Sequence, residues 1–230
     1  MSKRSRDASS GLPQVLLRLW LTLMPTPLCA ASLNFALPPL APAAALSGWD
    51  AALRDHAAEL RQFRTCDASA SCTSSMRAVQ TLLTRARALD AERRVRLVNH
   101  FVNRRRYRVD GPYHKALDGG GSVQLRSAWR SLLGFLDQGG DCEDYATAKY
   151  FLLRELALPA EAMRVAVLHD RMAHGHHAVL AVTLPNGAVW YLDTDDNVYK
   201  GSYPGYRFRY ALNEAYIWDY SEPGNRRVSP

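Results

Sequence analysis

The sequence predicts an α+β domain in which N-terminal helices are followed by an antiparallel sheet. Three observations carry that prediction. Before residue 138 the apolar residues recur at helical spacing in four separate segments. After residue 160 the pattern changes to short apolar runs of strand length. Two of those runs flank Pro185-Asn186-Gly187, and an Asn-Gly pair between apolar runs is a strong hairpin signal. Helices first and strands second favour α+β over an alternating βα fold.

The elements follow in chain order. Residues 1–31 read as a secretory signal: Lys3, Arg4 and Arg6 precede an apolar core around Val15–Met24, and Cys29-Ala30-Ala31 supplies small residues for cleavage. Pro25 and Pro27 end the apolar run short of a membrane span. Residues 32–46, rich in Ala and Pro, read as an extended lead-in and not a folded element. A single folded domain is expected over residues 47–222, with 223–230 a C-terminal tail.

Within the domain, Trp49, Leu53, Leu60 and Phe63 mark a helix over 48–64, with Ser47 as its cap. Met76, Val79, Leu82, Leu83 and Ala86 mark a second over 74–89. Asp90 caps a third, striped by Val95, Val98, Phe101 and Val102. Trp129, Leu132, Leu133 and Leu136 mark a fourth over 126–137, after a flexible Asp118-Gly119-Gly120-Gly121 loop. A fifth starts at Cys142, with Ala146, Tyr150, Leu153 and Ala157 on its buried face. Strands are expected at 163–168, 178–182 and 188–192, with a further one within 205–218.

Hydrophobic residues at 47% and charged residues at 22% are globular values, which excludes a disordered chain, and only one stretch approaches a membrane-length apolar run, which excludes a multi-span membrane protein. The formal charge of +7 is inflated by Lys3, Arg4, Arg6 and Arg18 in the signal segment. No helix-turn-helix pattern or aromatic–basic interleaving accompanies it, so nucleic acid is not a predicted partner.

Cys66 and Cys72 bracket a polar loop. In an oxidising compartment such a pair closes a small disulfide loop; the alternative is two free surface thiols. Cys142 is then left without a partner, and an unpaired thiol in an exported protein needs a use. It sits in Gly140-Asp141-Cys142-Glu143-Asp144-Tyr145-Ala146. With Asp141 as the helix N-cap, Cys142 falls at the first helical position, where the helix dipole favours thiolate.

His177 stands at the entrance of one hairpin strand and Asp193 at the exit of the other. A Cys packed against that end completes Cys, His, Asp: the imidazole takes the thiol proton and the carboxylate orients the imidazole. A two-residue Asn186-Gly187 turn sets His177 opposite Asp196, whereas a longer loop centred on Pro185 sets it opposite Asp193. Both registers are open on these residues alone. His174 and His176 compete as bases, strand alternation puts His176 on the face opposite His177, and His169 reads as a surface residue at a strand end.

The Asp141–Ala146 block with Lys149-Tyr150, His177-Ala178-Val179-Leu180 and Leu192-Asp193 resembles the bacterial transglutaminase-like cysteine peptidases, of which the LapG-type periplasmic proteases are the best-known members. The likeness extends upstream to Val98-Asn99, Tyr107 and Asp110, and downstream to Leu212-Asn213 and Trp218. It implies a papain/transglutaminase-like fold and a Cys142-His177-Asp193 triad. It also implies calcium bound through Asp141 and Glu143, with Asp144 as a third ligand. The implied substrate is the N-terminal region of a large surface adhesin, cleaved in the periplasm to disperse biofilm. The implied partner is an inner-membrane cyclic-di-GMP receptor that sequesters the protease. Two departures stand out: Ala128-Trp129-Arg130-Ser131 keeps the family's Trp and lacks its Pro, and the last motif reads Leu192-Asp193-Thr194 where the family often has Leu-Asp-Asn.

Calcium has a separate physical argument. Asp141, Glu143 and Asp144 surround the thiol with carboxylates, which raise a thiol pKa unless a cation offsets them. The alternative is that they point to water and only cap the helix. The sequence therefore reads as an exported cysteine endopeptidase. The rivals are a transglutaminase-type acyl transferase with the same triad and a non-catalytic binding module. For the oxyanion, the Cys142 amide is the first candidate, with Gln138 or Trp129 as side-chain candidates.

Overall fold

The computed structural model describes residues 31–66, 72–111, 113–116, 122–125, 128–170, 175–221 and 226–228. The expected leader up to residue 30, the Asp118–Gly121 loop and His174 lie outside the described residues. Among the described residues no helix is long and apolar enough to cross a membrane.

Among the described residues five α-helices precede the main run of strands: α1 (Ser47–Thr65), α2 (Ser74–Arg87), α3 (Ala91–Asn103), α4 (Leu132–Gln138) and α5 (Cys142–Glu155). Side-chain oxygens start three of them. Thr73 accepts from Met76 N, Asp90 from Arg93 N and Ser131 from Gly134 N. Ser47, expected as a cap, is instead the first helical residue of α1. The fourth helix starts at Leu132 and not near 126. Glu59 on α1 accepts the Ser131 hydroxyl and the Leu133 and Gly134 amides, which pins that start. Trp129 is left outside it, edge-on to Trp49 at 5.5 Å.

α5 is buried from Glu143 to Leu153, on every side. A single buried face was expected; the helix instead lies between the sheet and the other helices. Ala157, expected on that face, lies beyond the helix at φ +62. There the Ala157 and Leu158 amides close on the carbonyls of Arg154 and Leu153 in a Schellman-type stop.

The main sheet is antiparallel and seven-stranded. Its strands are β2 (Ala41–Pro42), β5 (Met163–Asp170), β6 (His176–Thr183), β7 (Val189–Leu192), β8 (Val198–Lys200), β9 (Tyr206–Leu212) and β10 (Tyr216–Asp219), in the order β2-β10-β9-β5-β6-β7-β8. Two two-stranded ladders are separate from it: β1 (Ala31–Leu33) with β11 (Arg226–Val228), and β3 (Tyr113–Ala116) with β4 (Ser122–Leu125).

The lead-in, expected to be no folded element, carries β1 and β2, and residues 226–228 of the tail pair with β1. The reason is the outer face of the sheet. Leu168, Tyr191, Phe208 and Trp218 make that face apolar, and it must be covered. Residues 31–37 cover it. Leu33 is 2% exposed and its amide donates to the Tyr191 hydroxyl at 2.8 Å. The carbonyls of Asn34, Phe35 and Leu37 accept from Arg164, Tyr220 and Trp218.

The β6–β7 turn fixes the register that matters for the site. Leu184 N donates to Ala188 O and Gly187 N to Leu184 O, with Gly187 at φ +81. Three residues thus make the loop, and Leu180 faces Leu192. This is neither of the two registers the sequence left open; continued, it would set His177 opposite Asp195. The ladder stops at that pair, and beyond it the Asp193 amide turns to Asn197 O at 3.4 Å.

Candidate active site

Cys142 is the first residue of α5, and Asp141 is its N-cap by backbone. Asp141 was expected to cap with its carboxylate, and it does not. Its Oδ2 accepts the Asp110 amide at 3.1 Å, while Oδ1 is buried without a hydrogen-bond partner. Two glycines make this approach possible. A Cβ on Gly139, at φ +75, would overlap the Arg106 carbonyl, and one on Gly140 would overlap the Asp144 carboxylate. The Arg106–Arg108 segment lies directly on Gly140, with Arg108 N donating to Gly140 O at 2.8 Å. That contact carries Tyr107 and Asp110 to the start of α5.

His177 and Asp193 meet across the open end of the hairpin. His177 Nε2 lies 2.7 Å from Asp193 Oδ1. The same oxygen accepts the Thr194 amide at 2.6 Å, and Tyr203 donates its hydroxyl to Oδ2. Burial alone would raise the Asp193 carboxyl, but the contacts from His177, Tyr203 and Thr194 outweigh it and hold the group below its ordinary value. His176 is exposed and pairs across the strands with His169.

The thiol belongs to the same end of the molecule. The Cys142 side chain packs against the core cluster that includes Ala178, the neighbour of His177. Its thiol donates to Glu143 Oε2 at 3.3 Å. Burial pushes the thiol up, the charges of Glu143 and Asp141 push it further, and the Ala178 amide draws it down by less. The expected lowering by the helix dipole is thus outweighed by burial and by the carboxylates around it.

Those carboxylates sort into two groups. One oxygen each from Asp110, Asp141 and Glu143 lies within 4.8 Å of the others. Burial, then the contact with and charge of Glu143, raises Asp141 to about 7. Asp144 is not in this group. It is fully buried and faces Arg130, which donates its amide to Oδ1 at 2.8 Å and its guanidinium to Oδ2. The other arm of Arg130 reaches Asp110 Oδ1 at 2.5 Å, and the Ala128 amide reaches Asp110 Oδ2 at 2.5 Å. The place expected for Asp144 in an acidic triplet is taken by Asp110. Three carboxylates, one with a buried unpartnered oxygen, make a donor set suited to a hard cation.

Of the oxyanion candidates, Gln138 is exposed at the end of α4, and Trp129 packs on Trp49. Tyr107 stands nearer. Its ring is 51% exposed. Burial first, then the negative charge of Cys142, Asp141 and Glu143, raises its hydroxyl to about 12. Tyr203 and Arg130 escaped the sequence reading as site residues, because their partners Asp193 and Asp144 are linked to them only by the fold. Asp110 was visible only through the family likeness.

The cysteines at 66 and 72 are joined in a disulfide, Cα–Cα 5.2 Å, packed on Met76, Phe63 and Leu133.

Residues 62–219 match the family described as bacterial transglutaminase-like cysteine proteinase. No curated protein sequence matches the chain. Among solved structures, calcium-bound LapG of Legionella pneumophila is similar over 71% of this chain and 86% of its own, at 23% identity and a TM-score of 0.55. The EGTA-treated form of that protein is similar over 70% and 83%, also at 23% identity and 0.55. At that identity the likeness is one of fold, and it matches helices packed on an antiparallel sheet in the papain/transglutaminase manner.

Proposed function

Because the chain belongs to the bacterial transglutaminase-like cysteine proteinases, we propose that it is an exported, calcium-dependent cysteine endopeptidase with Cys142 as nucleophile, His177 as general base and Asp193 as the orienting acid. The observation that carries this reading is the 2.7 Å contact from His177 Nε2 to Asp193 Oδ1, one residue along β6 from Ala178, whose amide acts on the Cys142 thiol.

With Nε2 held by Asp193, Nδ1 is the ring nitrogen left to take the thiol proton. The thiolate attacks the scissile carbonyl carbon and forms a C–S bond. The oxyanion draws on the Cys142 amide at the start of α5. The C–N bond breaks as the imidazolium returns its proton to the departing amine. Water, deprotonated by His177, then attacks the thioester; the C–S bond breaks, leaving a carboxylate and the regenerated thiol.

Asp110, Asp141 and Glu143 would hold calcium through hard oxygens, and the Asp141 oxygen without a partner is the acceptor such an ion would use. Bound there, calcium supplies positive charge beside a thiol that the same carboxylates otherwise hold protonated. The Cys66–Cys72 bond supports an oxidising compartment, the periplasm. The sequence likeness supports the N-terminal region of a surface adhesin as substrate and an inner-membrane cyclic-di-GMP receptor as the sequestering partner.

The test is incubation of the purified protein with the N-terminal fragment of a large adhesin, in calcium or in EGTA, beside Cys142→Ala. Cleavage by the parent protein in calcium alone, and none by the variant, is the expected result. Cleavage by Cys142→Ala would overturn the nucleophile assignment.

A further inference from the structure

Lys149 is 0% exposed on α5, seven residues after Cys142. Seven residues are two helical turns, so both side chains leave the same face of that helix. Lys149 Nζ donates to the main-chain carbonyl of Asp193 at 2.7 Å. A second donor reaches the same oxygen: Asn103 Nδ2, at the last turn of α3, also at 2.7 Å.

That carbonyl sits where the sheet stops holding the chain. The β6–β7 ladder ends at Leu180 and Leu192, one residue before Asp193. The turn that follows includes Asp196 at φ +67, in the left-handed region. Helix α3 holds this turn as well, through Asn99 to Asp196 O at 3.1 Å and His100 to Asp196 Oδ2 at 2.7 Å. Burying an ammonium is costly, and burial lowers Lys149 to about 7 against the pull of Asp193, Asp196 and Asp195. An apolar side chain of similar length would fill the same space without that cost. The ammonium is aimed at a neutral backbone oxygen, where its value is directional: it fixes a position.

We propose that Lys149 and Asn103 are positioning residues which clamp the Asp193 carbonyl and so key the acid of the triad to the nucleophile's own helix. One rigid element then sets both ends of the triad, with Cys142 at its start and the anchor of Asp193 two turns on. His177 needs no clamp of its own, because it is oriented by the carboxylate so placed. The proposal rests on the triad reading above.

The experiment compares the parent protein with Lys149→Met, Asn103→Ala and Asp193→Asn, with calcium present throughout. One readout is the rate of Cys142 alkylation by iodoacetamide at pH 7. The other is the NMR signature of the His177 ring, whose Nε2 proton is held on Asp193 in one tautomer. Lys149→Met is expected to fold, to lose the single-tautomer signature and to alkylate roughly tenfold more slowly. Asn103→Ala is expected to do the same to a smaller degree, and it decides the matter if Lys149→Met does not fold. Parent-like rates and an unchanged His177 signature in the folded variants would overturn the clamp. Asp193→Asn separates the two readings. If it disrupts both readouts while the clamp variants do not, the triad stands and the clamp falls. If Asp193→Asn is silent, the triad assignment falls and takes the clamp with it.

Discussion

Tyr203 donates its hydroxyl to Asp193 Oδ2, the carboxylate oxygen that His177 leaves free. The ring is buried, and its backbone amide donates to Ala31 O at 2.9 Å, so the cover strand β1 and the acid of the site share one residue. Burial first, then Asp193 itself, raises the tyrosine hydroxyl, which therefore stays a donor at every pH the enzyme meets.

Tyr203→Phe removes a hydrogen bond to an ionised group, a change of about 1.5–3 kcal/mol. If the full amount falls on the oriented imidazole, turnover drops roughly tenfold to a hundredfold. The fold has a matching signature in acid. Asp193 is held below its ordinary value, so it contributes stability above the unfolded carboxylate pKa and loses it as pH falls through the folded value. Without the tyrosine the folded value moves up and that contribution shrinks. The variant should unfold at a higher pH in an acid titration followed by circular dichroism. An unchanged acid midpoint would show that the tyrosine does not hold Asp193.

Lys149 gives the opposite linkage at alkaline pH. Its folded value is lowered from 10.5 to about 7, so the unfolded chain takes up the proton first as pH falls. The folded state is therefore penalised increasingly between about 10.5 and about 7, and by a constant amount below that. Lys149→Met removes the penalty, and replacing a buried charge by a well-packed apolar group gains about 1–4 kcal/mol. Urea unfolding should show the variant more stable than the parent at pH 7, with the gain shrinking by pH 10. A gain of the same size at both pH values would mean the ammonium is not paying a desolvation cost.

Much of this architecture was legible because it is periodic or local. α3 carries its stripe and its Asp90 cap within a dozen residues, and β6 and β7 announce their turn through Asn186-Gly187. Where residues read as exposed or unstructured prove buried or paired, the cause is a partner distant in sequence. Glu143, Asp144 and Lys149 look like the polar face of an amphipathic helix, yet all three are buried because Arg130 and the Asp193 turn meet two of them. Residues 31–37 look like a linker because the apolar sheet face they cover is built from strands far along the chain. The β3–β4 hairpin was missed because Tyr113-His114-Lys115-Ala116 lacks an alternating pattern. Cys142, His177 and Asp193 were recognisable by residue type at element ends, whereas Tyr203 and Arg130 have no local signal.

Arg130 links the two carboxylate groups. It bonds Asp144, which is fully buried, and Asp110, which is one of the clustered oxygens. Arg130→Met leaves Asp144 buried without its cation, and breaking a buried pair from one side costs about 3–5 kcal/mol. The guanidinium is 21% exposed, which places the expected loss at the lower end. Thermal unfolding of the variant should show that loss. Arg130→Met with Asp144→Asn should recover part of it, because an amide can be buried at lower cost than a lone charge. If the double variant is no more stable than the single, the stranded charge is not the cause.

The last prediction concerns calcium, where stability and catalysis are tied to the same three side chains. Asp110, Asp141 and Glu143 converge, and Glu143 also accepts a 3.3 Å hydrogen bond from the Cys142 thiol. A cation binding only the folded state stabilises it by about 2.7 kcal/mol at roughly 100 times its Kd. EGTA should therefore lower the melting temperature and suppress cleavage together, and added calcium should restore both. Asp141→Asn with Glu143→Gln should abolish that response to calcium, and Asp110→Asn should weaken it, which no helix-cap role for these residues predicts. Glu143→Gln alone also removes a negative charge from beside the thiol. It should react faster with iodoacetamide than the parent protein does in EGTA, because Glu143 is among the groups holding the thiol protonated. If the carboxylates serve only to complement the helix dipole, EGTA changes neither reading and the double variant loses about 1–2 kcal/mol of dipole energy. A parent protein that melts and cleaves identically in calcium and EGTA would remove the cation from this site and leave Cys142, His177 and Asp193 to be judged by their own variants.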